Sequence, residues 1–275
     1  MSLFKVDQEK CRRDGICMAE CPGGIIEIGR EGGLPVPTEL AESLCIQCGH
    51  CVAVCPEGAL SLETMKVHEC PSVGNGFSVP AGHMELLIRT RRSIRTYKKK
   101  RVQRNILKRL IETARYAPSI KNLQPVHWLV IEHRSEVDRL ASIVVEWMKS
   151  MIEGAHKARY SPLALSHITE KWVKGEDLIC HGAPHVIVVH GPKDSRASLT
   201  SCIIALTTLE LAAHSFGLGT CWAGYFYAAA NSYPPMIEAL GISDDHQCFA
   251  AMMIGYPRFR YHRIPVKKKA SITWR

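Results

Sequence analysis

The sequence predicts an α+β chain in two parts, a small cysteine-rich unit followed by a larger domain that mixes helices and strands. Three observations carry this reading. Eight of the twelve cysteines (Cys11, Cys17, Cys21, Cys45, Cys48, Cys51, Cys55 and Cys70) fall in the first 70 of 275 residues. Charge divides at the same place: residues 1–70 hold 6 Lys and Arg against 11 Asp and Glu, and the remainder holds 29 against 15. The net charge of +9 therefore hides an acidic part of −5 and a basic part of +14. Beyond residue 83, helix-like and strand-like segments alternate. With 46% hydrophobic residues the chain can bury a full core, which excludes a disordered tail or a collagen-like fibre. It has no run of 18 apolar residues, and Met1 to Asp7 lacks a signal-peptide pattern, so the expected location is cytoplasmic, without a membrane partner. Clustered cysteines in that setting point to metal rather than disulfides.

The spacing of those cysteines decides which metal. Cys45, Cys48, Cys51 and Cys55-Pro56 form the run C-x2-C-x2-C-x3-C-P, in which three thiolates hold one [4Fe–4S] cluster and the fourth serves another. Thirty-four residues earlier stand Cys11, Asp14, Cys17 and Cys21-Pro22, the same motif with one substitution. Gly23 to Ile28 and Glu57 to Leu62 follow the two copies, each reading as a turn into a short strand. Zinc sites favour paired C-x2-C knuckles separated by longer loops, so zinc is the poorer match. The segment over residues 1–66 resembles the bacterial two-cluster ferredoxins. That resemblance implies cross-ligation, with one cluster on Cys45, Cys48, Cys51 and Cys21, and the other on Cys11, Cys17 and Cys55 with Asp14 as the variable ligand. A carboxylate is a harder and weaker iron ligand than a thiolate. The Asp14 cluster is therefore either [4Fe–4S] with an Asp ligand or [3Fe–4S].

Residues 68–82 are rich in Gly, Pro and Ser without periodicity and read as a linker between a domain at 1–67 and one at 83–275. Cys70 lies outside the repeat and reads as a packing or surface thiol. In the second domain Ile106, Leu107, Leu110, Ile111 and Ala114 predict a helix that stops before Ala117-Pro118. Val126 to Glu132 reads as a strand, and Val137, Leu140, Val144, Trp147, Met148 and Met151 as an amphipathic helix. Residues 154–177 turn polar and irregular, the pattern of a lid. His185 to His190 predicts a buried strand behind Ala183-Pro184. Ser198 to Phe216 predicts a helix that is apolar nearly all round and needs cover on every side, and Phe249 to Ile254 a final strand.

Ile88 to Arg109 contains eleven Lys or Arg and no acidic residue. Without stacking aromatics or a recognised module such a run does not indicate nucleic acid. Its Lys98 to Arg101 portion reads as a solvated face. Arg91-Arg92-Ser93-Ile94-Arg95 differs, because guanidinium forks and a hydroxyl at this spacing can converge on one phosphate. There is no Walker A loop, no G-x-G-x-x-G and no H-E-x-x-H.

Arg91 to Tyr97, Ala117 to Pro125, Gly217 to Gly224, and Gly255-Tyr256-Pro257 with Arg263-Ile264-Pro265, taken in this order, resemble the nitroreductase family of FMN enzymes. The resemblance implies an α/β sandwich domain in which Arg91, Arg92, Ser93 and Arg95 grip the FMN phosphate and ribityl chain, with Arg263 completing the grip. It places Pro118, Ser119, Asn122 and Gln124 along the flavin, and the backbone of Trp222, Ala223 and Gly224 at its N5 edge. It also implies an intertwined homodimer, in keeping with the apolar helix at 198–216.

Together the two halves imply an iron–sulfur flavoprotein oxidoreductase in which clusters pass single electrons to FMN, and FMN reduces a small organic acceptor such as a nitroaromatic or quinone. The donor is NAD(P)H or a reduced ferredoxin; clusters are superfluous to direct hydride transfer, which favours ferredoxin. The alternative is a non-catalytic electron carrier or redox sensor.

Overall fold

The computed structural model describes residues 3–74, 78–154 and 160–275. The chain divides into two compact units, one of residues 1–78 with 121–123 and the other of 79–120 with 124–275.

The first unit holds β1 (Phe4–Val6), α1 (Ile16–Ala19), β2 (Ile26–Ile28), β3 (Pro35–Pro37), α2 (Ala41–Leu44), α3 (His50–Ala53) and β4 (Leu60–Leu62). The 34-residue offset seen in the cysteines recurs in the backbone, relating α1 to α3 and β2 to β4. Left-handed residues repeat at the same offset, with Arg13 and Gln47 at φ 58° and 52°, and Gly15 and Gly49 at 72° and 73°. At Gly49 only glycine serves, because a Cβ there would lie 2.6 Å from Met65 Sδ on a backbone that already disfavours side chains. Strand pairing crosses between the copies: β1 runs antiparallel to β4 with Phe4 opposite Leu62, and β2 antiparallel to β3 with Ile26 opposite Pro37. Phe4, Ile25, Ile26, Val52, Leu60 and Leu62 close a small core, against which Cys70 packs while donating to the Lys66 carbonyl.

The second unit holds α4 (Ala81–Thr90), α5 (Arg104–Ala114), β5 (His127–Ile131), α6 (Arg134–Glu153), α7 (Pro162–Val173), β6 (His185–Pro192), α8 (Arg196–Ser215), β7 (Gly219–Trp222), α9 (Gly224–Ala229), α10 (Pro234–Leu240) and β8 (His246–Gly255). Its four-stranded sheet runs β5-β6-β8-β7, antiparallel throughout. Both faces are covered. Val186 and Val188 of β6 turn to a core built with α6, α7, α9 and α10, while Ile187 and Val189 turn to one built with α5 and α8. A bulge opposite Val189 and His190 shifts the register of β8, so consecutive Phe249 and Ala250 both enter the α5–α8 core.

One expectation is corrected here. Residues 162–173, read as part of an irregular lid, form helix α7. Its first residue Pro162 presets φ, and Leu165, Ile168 and Trp172 at i, i+3 and i+7 face the core among polar neighbours that mask the pattern. Residues 155–159 of the same stretch lie outside the described ones. Helix α8, although long and apolar enough by composition to cross a membrane, is half buried and packs on the sheet. Its cover is one-sided: Leu206 and Leu209 are fully buried, each worth about 1.5–3 kcal/mol, whereas Leu199 is 51% exposed.

At one end of the sheet three imidazoles meet. His190 Nδ1 lies 3.0 Å from His246 Nδ1, and the His127 ring stands edge-on to His246 at 4.6 Å. Burial, with His127 and His246 adding, pushes the pKa of His190 down to about 4. Below its ordinary value near 6.5 the unfolded chain then binds a proton that the fold refuses. Stability is therefore held above pH 6.5 and falls as pH drops from there toward about 4. Urea midpoints measured across that window should show the loss, and His190→Gln should flatten it.

Candidate functional site

The repeat dictates where the cysteines go. In each copy a left-handed glycine starts a one-turn helix carrying the third motif position, Cys17 on α1 after Gly15 and Cys51 on α3 after Gly49. Cys21, Cys45, Cys48 and Cys51 line one cavity of about 120 Å³. Cys11, Asp14, Cys17 and Cys55 line another of about 20 Å³. Cys21 thus stands with three cysteines of the second copy, and Cys55 with the residues of the first. Burial raises the Cys51 thiol to about 11, and its neighbours Cys21, Cys48 and Cys45 add to that. Cys17 is raised by burial too, with Cys55, Asp14 and Cys11 adding. Such thiols ionise when a metal takes the proton's place. Asp14 Oδ1 accepts from the Ile16 amide at 3.2 Å, which fixes the carboxylate at the start of α1. The Ala59 amide donates to Cys55 Sγ at 3.3 Å, and Gln47 Nε2 to Cys45 Sγ at 3.6 Å. Two thiol-lined cavities suit polynuclear clusters better than zinc.

In the second unit, backbone pairing stitches three distant sequence segments together. Ser93 bridges Thr220 in parallel, the Ile94 amide donates to the Thr220 carbonyl at 2.8 Å, and Tyr97 bridges Pro257. The Lys98 and Arg258 amides close the lacing on Tyr256 and Thr96. Gly219 permits this approach, because a Cβ there would lie 2.4 Å from the Ile94 side chain. Buried Tyr97 donates its hydroxyl to the Ile94 carbonyl at 2.7 Å, and burial raises that phenol well above its ordinary range.

Beside this junction opens a cavity of about 360 Å³, lined by Arg91, Arg92, Thr220, Arg260, Tyr261 and Glu210 among others. Arg92 Nη1 donates to the Arg91 carbonyl at 2.6 Å, but its buried Nε has no partner among the described residues. A buried donor without an acceptor is costly, and beside two further guanidiniums it suits a phosphate or other anion. Glu210, 5% exposed on α8, accepts from Arg91 Nη1 at 3.0 Å, Thr220 Oγ1 at 3.4 Å and Trp222 Nε1 at 3.3 Å. Burial raises the Cys221 thiol, while the charge of Arg95 and the Ser93 hydroxyl oppose the rise. The Ala223 amide donates to the Ala251 carbonyl at 2.8 Å, and Gly224 opens α9 with exposed backbone and no neighbour within 4 Å of where a Cβ would sit.

The structure therefore brings together Arg91, Arg92, Ser93, Arg95 and Trp222, with Ala223 and Gly224 following on the same strand end. Pro118, Ser119 and Gln124 lie elsewhere on the second unit, in a loop where Ser119 Oγ accepts from the Gln124 amide at 3.0 Å. Lys121, Asn122 and Gln124 there all have left-handed φ between 48° and 53°, strain that loops retain at functional positions. Asn122 groups with the first unit and donates to the Gln47 carbonyl at 2.9 Å. Arg263 sits in an exposed tail and does not line the cavity; Arg260 does. Sequence reasoning missed Glu210 and Arg260. Glu210 was visible as the one acidic residue in the apolar run Ser198 to Phe216. The histidines include a purely structural one, His185, which accepts from the Val102 amide at 2.9 Å and donates Nδ1–H to the Glu132 carbonyl at 2.8 Å.

Comparison with known proteins agrees with this architecture. The second unit is similar to a nitroreductase with bound FMN from Bacteroides fragilis, 20% identical with a TM-score of 0.58, the match covering 69% of this chain and 97% of that one. A nitroreductase with bound FMN from Desulfitobacterium hafniense matches at 22% identity and a TM-score of 0.57, covering 70% and 97%. The nitroreductase NfnB of Mycolicibacterium smegmatis is 27% identical over 161 residues, half of this chain and 68% of its own length. The nitroreductase family model matches residues 88–256, and a 4Fe-4S dicluster domain model matches residues 9–60. With the laced motifs, the arginine-lined cavity and the two cysteine-lined cavities, these matches establish that the chain is a nitroreductase-family oxidoreductase carrying an N-terminal 4Fe-4S dicluster domain.

Proposed function

We propose that this oxidoreductase binds FMN in the arginine-lined cavity of its second unit, receives electrons singly through its cysteine-rich unit, and reduces a small organic acceptor of the nitroaromatic or quinone kind. The carrying observation is the buried Arg92 Nε, a donor with no acceptor among the described residues, in a cavity that Arg91 and Arg260 also line. A flavin phosphate would satisfy it, and the two structural relatives just named hold FMN. When bound, FMN supplies exchange between one-electron and two-electron partners, and iron–sulfur clusters supply single electrons. The chain's own residues supply position and charge. Arg91 and Arg92 hold the phosphate, Ser93 and Arg95 extend the grip along the segment tied to β7, and the backbone at Trp222, Ala223 and Gly224 admits the reacting edge.

The same reading assigns the metal ligands. Cys21, Cys45, Cys48 and Cys51 would hold one [4Fe–4S] cluster, and Cys11, Cys17, Cys55 and Asp14 the second, as [4Fe–4S] or [3Fe–4S]. It includes a homodimer: Leu199 leaves an apolar side chain of α8 exposed, where a second copy would cover it. A second copy would supply the strained 118–125 loop and the tail carrying Arg263 to the cavity.

Three measurements test the reading. Ser93→Ala with Arg95→Ala should release flavin while leaving iron content unchanged; stoichiometric FMN in that variant would refute the site. Asp14→Cys should raise iron retained after air exposure, with a changed EPR signal, and an identical iron content and signal would remove Asp14 from the ligand set. The anaerobic visible spectrum identifies the donor. Bleaching by reduced ferredoxin with no response to NADH or NADPH is expected, and bleaching by a nicotinamide alone would reverse the direction of electron flow.

A further inference from the structure

A carboxylate only 5% exposed needs a reason, and Glu210 has three donors facing it, one of them charged. The donors differ in kind. Thr220 Oγ1 and Trp222 Nε1 are neutral groups on the rigid strand β7, at 3.4 and 3.3 Å, while Arg91 is a cation at the end of α4, at 3.0 Å. Arg91 keeps 32% of its side chain exposed and lines the cavity, whereas the Glu210 side chain keeps 6%. The fixed partner is therefore the carboxylate, and the adjustable partner is the guanidinium. A guanidinium carries five donors in a planar fork. With Nη1 taken by Glu210, the rest of the fork has its orientation set toward the space it lines.

We propose that Glu210 is a positioning residue for anion binding: anchored by Thr220 and Trp222, it aims the Arg91 guanidinium into the cavity where the flavin phosphate binds. The proposal rests on the FMN reading above and adds a residue that none of the cofactor motifs contains. Its physical basis is preorganisation. A free arginine loses rotamer freedom on meeting a ligand, and one already held does not. The cost is partial neutralisation of a cation beside an anion site, so Arg92 and Arg260 carry the net positive charge there.

The test is a flavin fluorescence titration on the full-length protein with its clusters assembled, comparing wild type, E210Q, R91A and the double variant. Glutamine keeps shape and one acceptor but not the charge that holds Arg91. E210Q should weaken FMN binding about tenfold, and should cause no further loss in the R91A background, because the two act through one contact. A role confined to packing would give the same loss in both backgrounds, and either that result or unchanged binding in E210Q overturns the proposal. Should E210Q lose its cooperative melt, T220V decides instead, with a loss of about threefold that again vanishes with R91A. Wild-type protein that binds no FMN overturns the functional reading beneath; wild-type binding with unaffected variants overturns this inference alone.

Discussion

An ionised side chain inside an apolar layer constrains everything that packs around it, and Glu210 is where the second unit meets that constraint. Helix α8 carries Leu206, Leu209 and Ala213 into the core on the same side as Glu210. Seating the helix therefore drags a carboxylate out of water, and donors have to be waiting for it. They come from β7 and from Arg91. Sheet edge, helix and basic segment are in this way obliged to meet at one point. The backbone lacing of Ser93 to Thr220 and Tyr97 to Pro257 runs through the same place. The cavity follows as the space beside a junction that is already over-determined.

The first unit answers a different constraint, too little apolar surface for its size. Its core is a handful of side chains, with five cysteines packed among or against them. Strands of three residues and helices of four cannot stand alone. Exchanging strands between the two copies gives each short element a partner from the other half, and brings Cys21 and Cys55 across to the opposite cysteine sets. The buried Cys17 and Cys51 thiols, raised by burial, would favour metal over protons only with several ligands converging, which ties the folding of this unit to its metal.

Legibility varied with the range of the interaction. The cysteine runs were readable because ligand spacing is local, and the duplication because it is a fixed offset in sequence. Strands β6 and β8 were readable as unbroken apolar runs, a consequence of being covered on both faces. Helix α7 was not, since its three core contacts are diluted by polar residues that face outward. The sequence treated Arg91, Arg92, Ser93 and Arg95 as one grip, but of these only Arg91 and Arg92 line the cavity, and Arg95 is exposed. Arg263 and Arg260 are equally plausible as sequence, and only their placement separates them.

By itself, then, the sequence determined the two-part organisation, the donor types for the clusters and the family motifs, because each of these is written in residue identity and spacing along the chain. Tertiary structure alone decided that Glu210 answers Arg91, and that Arg92 Nε has no acceptor among the described residues in a cavity that Arg260 also lines. Those facts depend on contacts between residues more than 100 positions apart, or on the solvent that packing removes, and neither quantity exists until the sheet has formed and α8 has closed over it.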